Sequence, residues 1–134
     1  MIRVVLDSNI IISSIFWSGS PYEVFKRGIL GNYKIVISSE ILNEVVDKLR
    51  YKFKFPEENI LNLVDILLTH SEMIQTKSKL DIVRDKEDNK IVECAFDGNA
   101  DYIVTGDSDL LVLEKFENIK IIKANEFLRI LENN

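Results

Sequence analysis

Four carboxylates sit where predicted elements begin, end or turn inward, and together they could hold a hard cation. Asp7 follows the apolar run Ile2-Arg3-Val4-Val5-Leu6, and Asp107 follows Tyr102-Ile103-Val104-Thr105-Gly106. Asp88 opens one predicted helix and Glu44 lies inside another. An acid at the end of a buried strand gains little stability there, because burial penalises its charge. The same place suits it to bind a cation in a cleft. Oxygen donors with no His or Cys beside them match Mg²⁺ or Mn²⁺. Asp109 alternates with Asp107 around Ser108, and Asn9 stands two residues after Asp7. Each position also has a purely structural reading. Asp7 or Asn9 could cap the next helix, Asp107 or Ser108 could cap the one containing Leu110, and Asp88 could complement a helix dipole.

Helical geometry separates Asp88 from its neighbours. In a helix over 86–98, Ile91, Val92 and Ala95 share an arc of about 100°. Asp88 projects into that arc one turn earlier, while Glu93 and Asp97 point elsewhere. A carboxylate on an inward face must pair, neutralise or bind metal. Glu44 fares worse by the same test. It lies outside the face made by Ile41, Leu42, Val45, Val46 and Leu49, so its own helix reads it as a solvated acid.

Other chemistries lack their parts. His70 is the only histidine and ends a predicted helix, so neither a histidine-pair ribonuclease nor a Ser-His-Asp triad can be assembled. No Gly-rich phosphate loop is present. Cys94 is the only cysteine, which excludes an intrachain disulfide and a thiolate cage; its helical setting reads as packing.

Charge is unevenly spread. The chain carries −5 overall, yet residues 81–109 hold nine acids against Arg84, Lys86 and Lys90, a local −6. Such a patch repels nucleic acid unless cations neutralise it, which again points to metal. Elsewhere Lys48-Leu49-Arg50-Tyr51-Lys52-Phe53-Lys54-Phe55 interleaves Lys48, Arg50, Lys52 and Lys54 with three aromatics. It could grip a single strand by phosphate contacts and base stacking. Bases are equally at home at a helix C-terminus, and the aromatics could serve a core or a subunit interface.

These residues need a scaffold to position them. With 134 residues, the chain is expected to form one domain over 1–134. Strands are expected at 2–6, 34–37, weakly at 72–75, at 101–105 and at 119–123. Helices are expected over 9–16, 21–30, 40–52, 57–70, 86–98, 109–113 and 125–132. Pro21 suits a helix start and Gly31-Asn32 a stop. Apolar strands alternating with helices indicate a parallel sheet of roughly five strands covered on both faces, a three-layer α/β/α sandwich. Ligands of such sheets bind at the carboxyl ends of the strands, at a topological switch point. Asp7 and Asp107 would then face one crevice, provided the first and fourth strands are neighbours. No apolar run reaches the roughly 18 residues of a membrane span. The first strand follows Met1 directly, leaving no room for a signal peptide, so a cytoplasmic location is expected.

Taken together, these segments resemble the PIN-domain family, in its VapC-like toxin–antitoxin branch, along nearly the whole chain. Val5-Leu6-Asp7-Ser8-Asn9 is similar to the family's opening Asp-Thr-Asn strand end, with Ser8 in place of the common threonine. Ser39-Glu40-Ile41-Leu42-Asn43-Glu44-Val45 resembles the helix of the second acid, and Arg84-Asp85-Lys86-Glu87-Asp88-Asn89 the segment of the third. The run from Ala100 through Thr105-Gly106-Asp107-Ser108-Asp109 to Leu111 resembles the fourth-acid motif and is the most specific piece. The resemblance implies an acidic quartet of Asp7, Glu44, Asp88 and Asp107, with Asp109 as a further acid and Asn9 and Thr105 in support. It implies ion ligation by Asp7, Asp88, Asp107 and Asp109, dependence on Mg²⁺ or Mn²⁺, and RNA hydrolysis. Homodimerisation and an antitoxin partner also follow from it. Two readings stay open beside the toxin: an RNA-processing nuclease outside a toxin system, and a non-catalytic scaffold binding RNA or protein. A haloacid-dehalogenase-type phosphatase needs an aspartate where this chain has Asn9. A phospho-receiver needs a paired acid site and a lysine around its central aspartate, and nothing at Asp7 matches.

Overall fold

A computed structural model describes residues 1–133. Six strands form one sheet: β1 (Arg3–Leu6), β2 (Lys34–Ser38), β3 (Ser71–Ile74), β4 (Tyr102–Val104), β5 (Lys115–Phe116) and β6 (Ile119–Ile122). Their order is β3-β2-β1-β4-β6-β5. Five strands run parallel, as the apolar strand runs require, and β5 adds a short antiparallel edge through Lys115↔Lys120 and Phe116↔Ile119. Two residues leave no periodic signature, which is why a count of five falls one short. The hairpin between β5 and β6 closes with Glu117 in the left-handed region at φ 54°.

The helices are α1 (Ser8–Phe16), α2 (Ser20–Ile29), α3 (Ser39–Asp47), α4 (Glu57–His70), α5 (Asn89–Asp97), α6 (Ser108–Leu111) and α7 (Ala124–Glu132). Local chemistry sets several of their ends. Pro21 occupies the first turn of α2, and the Ser38 side chain accepts from the Ile41 amide to cap α3. Gly31, at φ +86°, turns the chain out of α2.

Two expected helices are broken. The helix expected over 40–52 stops at Asp47 and continues as a π-helical turn over Lys48–Lys52, closed by Phe53 N–H donating to the Lys48 carbonyl at 3.1 Å. Such turns insert an extra residue and re-aim the side chains around it. The helix expected over 86–98 begins with a 3₁₀ turn, Lys86–Asp88, capped by Asp85.

Neighbouring side chains of β2 place the layers. Successive residues of a strand face opposite sides of a sheet. Ile35 lies against Gly28 in α2, whereas Val36 lies against Gly98 at the end of α5. Helices therefore cover both faces. The α2 side is locked by Tyr33 and Phe127 edge to face at 4.9 Å, and α5 spans β1, β2 and β4 on the other. Cys94 is buried within α5, which pushes its thiol up to about 12 and leaves it a packing residue.

Close approach at Gly28 yields a stability prediction. An added Cβ there would stand 2.5 Å from Ile35 Cδ1 and 2.8 Å from the Tyr33 hydroxyl, both of which belong to buried side chains. Gly28→Ala is expected to destabilise the fold by about 1–3 kcal/mol, read as a lower urea midpoint at unchanged slope.

Candidate active site

The β1–β4 pairing meets the condition on which the shared crevice depended. Leu6 lies opposite Val104, and the Asp7 amide donates to the Val104 carbonyl at 3.0 Å. Chain order reverses at this pair, with β2 and β3 to one side and β6 to the other. Asp7 and the Thr105-Gly106-Asp107 turn thus emerge side by side at the carboxyl edge of the sheet.

Thr105 ties them together. Its side chain is fully buried, donates from Oγ1 to Asp7 Oδ2 at 2.7 Å, and accepts from the Asp107 amide at 3.0 Å. Asp7 is 3 % exposed and flanks α1 without a side-chain capping hydrogen bond. Burial raises its carboxyl above the usual range, the Thr105 hydroxyl works against that shift, and the Glu44 charge adds to it. Asp107 does cap α6, accepting from the Asp109 amide at 3.0 Å, so the structural reading of this residue is met.

Asp88 adjoins Asp107 from the turn that leads into α5. It ends the 3₁₀ turn with Oδ2 buried and without a hydrogen-bond partner. Burial, then the adjoining Asp107 carboxylate, then the charges of Asp7 and Asp85 push it up to about 8. Asp107 moves the opposite way, held below its ordinary value chiefly by the hydrogen bond with Asp88. Each carboxyl is thus among the causes of the other's shift.

Glu44 is not the solvated acid its helix suggests. Its side chain is 20 % exposed, its Oε1 stands 2.5 Å from Lys90 Nζ, and its Oε2 accepts from the buried Ser8 hydroxyl. Lys48 Nζ lies 3.7 Å from the same carboxylate and donates to Asn9 Oδ1 at 3.1 Å. Burial would raise Glu44, but the Lys90 and Ser8 hydrogen bonds and the two lysine charges outweigh it, leaving the carboxyl below its usual range.

The remaining expected residues divide. Asp109 gives its amide to Asp107, but its carboxylate enters no hydrogen bond or ion pair among the described residues. Arg50 is committed to Glu57 by two contacts at 3.1 and 2.5 Å, while Lys52 sits 5.5 Å from the centre of the Phe53 ring. Phe53 stacks on Phe16 at 4.9 Å and Phe55 meets it edge-on, so both aromatics serve packing; Tyr51 alone of the three is well exposed, at 66 %. The acid-rich 81–109 segment is also only partly devoted to the site. Glu93 accepts from the Leu80 amide, Asp97 from Lys77 and Ser78, and Asp101 from Arg3. These acids fasten loops. Sequence reasoning missed Lys90 and Asn89, whose side-chain oxygen accepts from the Ile82 and Val83 amides at 3.0 Å. Neither carries a periodic signal that distinguishes it.

A cleft of about 580 Å³ opens beside the acids, lined by Asn9, Ile10, Ser13, Pro21, Gly106, Asp107 and Ser108. Oxygen-only donors and the orphaned Asp88 oxygen suit a hard divalent cation. Among the described residues, no three acidic, His or Cys side chains stand grouped as a ready-made ligand set.

Comparison with known proteins agrees with this architecture. Residues 3–109 match the PIN domain family, and the chain belongs to it. PIN domains are generally nucleases. An uncharacterized protein of Methanocaldococcus jannaschii is 33% identical over 132 residues, covering 92% of this chain and 81% of that relative. Among solved structures, a chain of VapBC2 from Rickettsia felis, crystallised bound to a DNA fragment from its promoter, superposes with a TM-score of 0.60. It is 22% identical, with 90% of this chain and 97% of that one covered, and shares the fold.

Proposed function

We propose that this protein is a divalent-cation-dependent endoribonuclease, and the toxin of a toxin–antitoxin pair. One observation carries the reading: Asp7 and Asp107 leave adjacent strands at the β1–β4 switch point, and Asp88, adjoining Asp107, has a buried oxygen left unbonded. Mg²⁺ or Mn²⁺ held there would polarise a phosphate oxygen, activate water and offset charge on the leaving oxygen.

The chain's own groups do the rest. Thr105 orients Asp7 by its hydroxyl, and the Thr105–Asp107 contact fixes the turn that presents the second acid. Burial and the Asp107 charge favour the protonated form of Asp88, so a cation would compete with a proton for it. Lys48, held at Asn9 and Ser8, brings a positive charge to the rim where a phosphodiester would lie. Water attacking in line leaves a 5′-phosphate and a 3′-hydroxyl, because the ribose 2′-hydroxyl takes no part. The protein partner and the toxin role rest on likeness of fold to a chain of VapBC2. A cytoplasmic homodimer completes the proposal. No helix among the described residues is long and apolar enough to cross a membrane.

The test is cleavage of a panel of single-stranded and structured RNAs with Mn²⁺, Mg²⁺ or chelator, beside Asp7→Asn. Cleavage that needs metal, disappears in the variant and leaves 5′-phosphates is the expected result. Products ending in a 2′,3′-cyclic phosphate contradict the mechanism. Absence of both cleavage and cation binding favours a scaffold that binds RNA or protein.

A further inference from the structure

The acidic quartet is electrically divided. Asp7, Asp88 and Asp107 take part in no ion pair among the described residues, whereas Glu44 sits between two lysines. Each of its oxygens is already bonded, Oε1 to Lys90 and Oε2 to Ser8. Lys90 is only 19 % exposed, so water screens this pair less than a surface one. It belongs to α5, two residues after Asp88, and reaches across to α3. Its second carboxylate neighbour, Glu87, is 3.5 Å away and 84 % exposed, a much weaker claim on the ammonium. Lys48 is farther from Glu44 and spends its hydrogen bonds on Asn9 and Ser8.

A carboxylate so occupied has few free lone pairs, and a cation approaching it meets two ammonium groups. Released from Lys90, Glu44 Oε1 would be open to a cation, with Lys48 still 3.7 Å from the other oxygen. We infer that Lys90 is a positioning residue that holds Glu44 out of the cation site, leaving ligation to the aspartates. The inference rests on the cation-dependent reading above and adds a residue that reading does not use.

The experiment is a double-mutant cycle read by Mn²⁺ calorimetry, with thermal melts to confirm folding. Wild type, Lys90→Gln, Lys90→Arg, Glu44→Gln, Lys90→Gln/Glu44→Gln and Asp88→Asn are compared. Freed of its partner, Glu44 becomes an added ligand, so Lys90→Gln is expected to bind Mn²⁺ about tenfold more tightly. Lys90→Arg keeps the charge and stays within about twofold, and Glu44→Gln alone weakens binding by no more than about threefold. Additive effects would leave the double variant about three- to tenfold tighter than wild type; it is expected near wild type instead, so the cycle is non-additive.

An additive cycle would make Lys90 a remote charge only and overturn the inference. So would lost thermal stability with an unchanged Mn²⁺ affinity, the mark of a merely structural pair. Should Lys90→Gln not fold, Glu44→Gln decides: a loss as deep as that of Asp88→Asn means Glu44 is already a ligand. In all these cases wild type binds Mn²⁺ and the nuclease reading stands. Wild type without Mn²⁺ binding removes that reading and this inference together.

Discussion

Asp88→Asn is expected to cut RNA hydrolysis by at least about a hundredfold while raising the thermal midpoint of the ion-free protein. The two effects share one cause. Asp88 adjoins Asp107 with a buried, unpartnered oxygen, an arrangement that would serve the proposed ligation and works against the fold. An amide has nearly the same shape, can still donate to Asp107, and carries no charge. The sign of the pH dependence follows from linkage. The folded value, about 8, lies above the ordinary 3.8, so the unfolded chain holds fewer protons between those limits. Stability from this group is therefore full below about pH 4, falls as pH rises towards 8, and is level above. The advantage of Asp88→Asn should grow over that window and then stop growing. Melts from pH 5 to 9 beside single-turnover cleavage check both halves. Lost activity with a lower midpoint throughout would make Asp88 a structural residue.

Thr105→Val tests the bridge between the two strand ends. The substitution keeps shape and removes a buried hydroxyl that donates to Asp7 and accepts from the Asp107 amide. Both partners then lack a hydrogen bond in a buried setting, which costs about 1–3 kcal/mol in a urea titration. Turnover should fall about 10- to 100-fold, because an orienting partner of a site acid is gone. The Thr105 bond also offsets part of the rise in Asp7, so its loss raises that carboxyl further and moves the activity profile towards alkaline pH. Thr105→Ser keeps the hydroxyl and should recover most of the rate. A variant that loses stability but keeps rate and profile would confine Thr105 to packing.

Several features could be read in the residues because they depend on local order. Apolar runs over 2–6 and 101–105 forced strands, and the acids following them had to emerge at strand ends. The inward placement of Asp88 came from helical spacing, although the helix proper begins one residue later. Pattern misled where position within an element did not decide the surroundings. Glu93 and Asp97 counted towards an acidic patch, yet they bind loop amides. The aromatics of 51–55 suggested base stacking, yet two of them pack on Phe16.

Residue order alone therefore determined the α/β class, most element positions, the carboxylates at the strand ends and the family likeness. These follow from periodicity and turn chemistry within a few residues. Tertiary structure decided what each acid meets. Thr105 and Asp7 are 98 positions apart, and Ser8 and Glu44 are 36 apart. Lys90 reaches Glu44 only because α3 and α5 pack beside each other. Periodicity reports which side of its own element a residue faces. The charge or donor waiting there depends on how distant elements pack, and that packing separates a paired Glu44 from the unpaired aspartates.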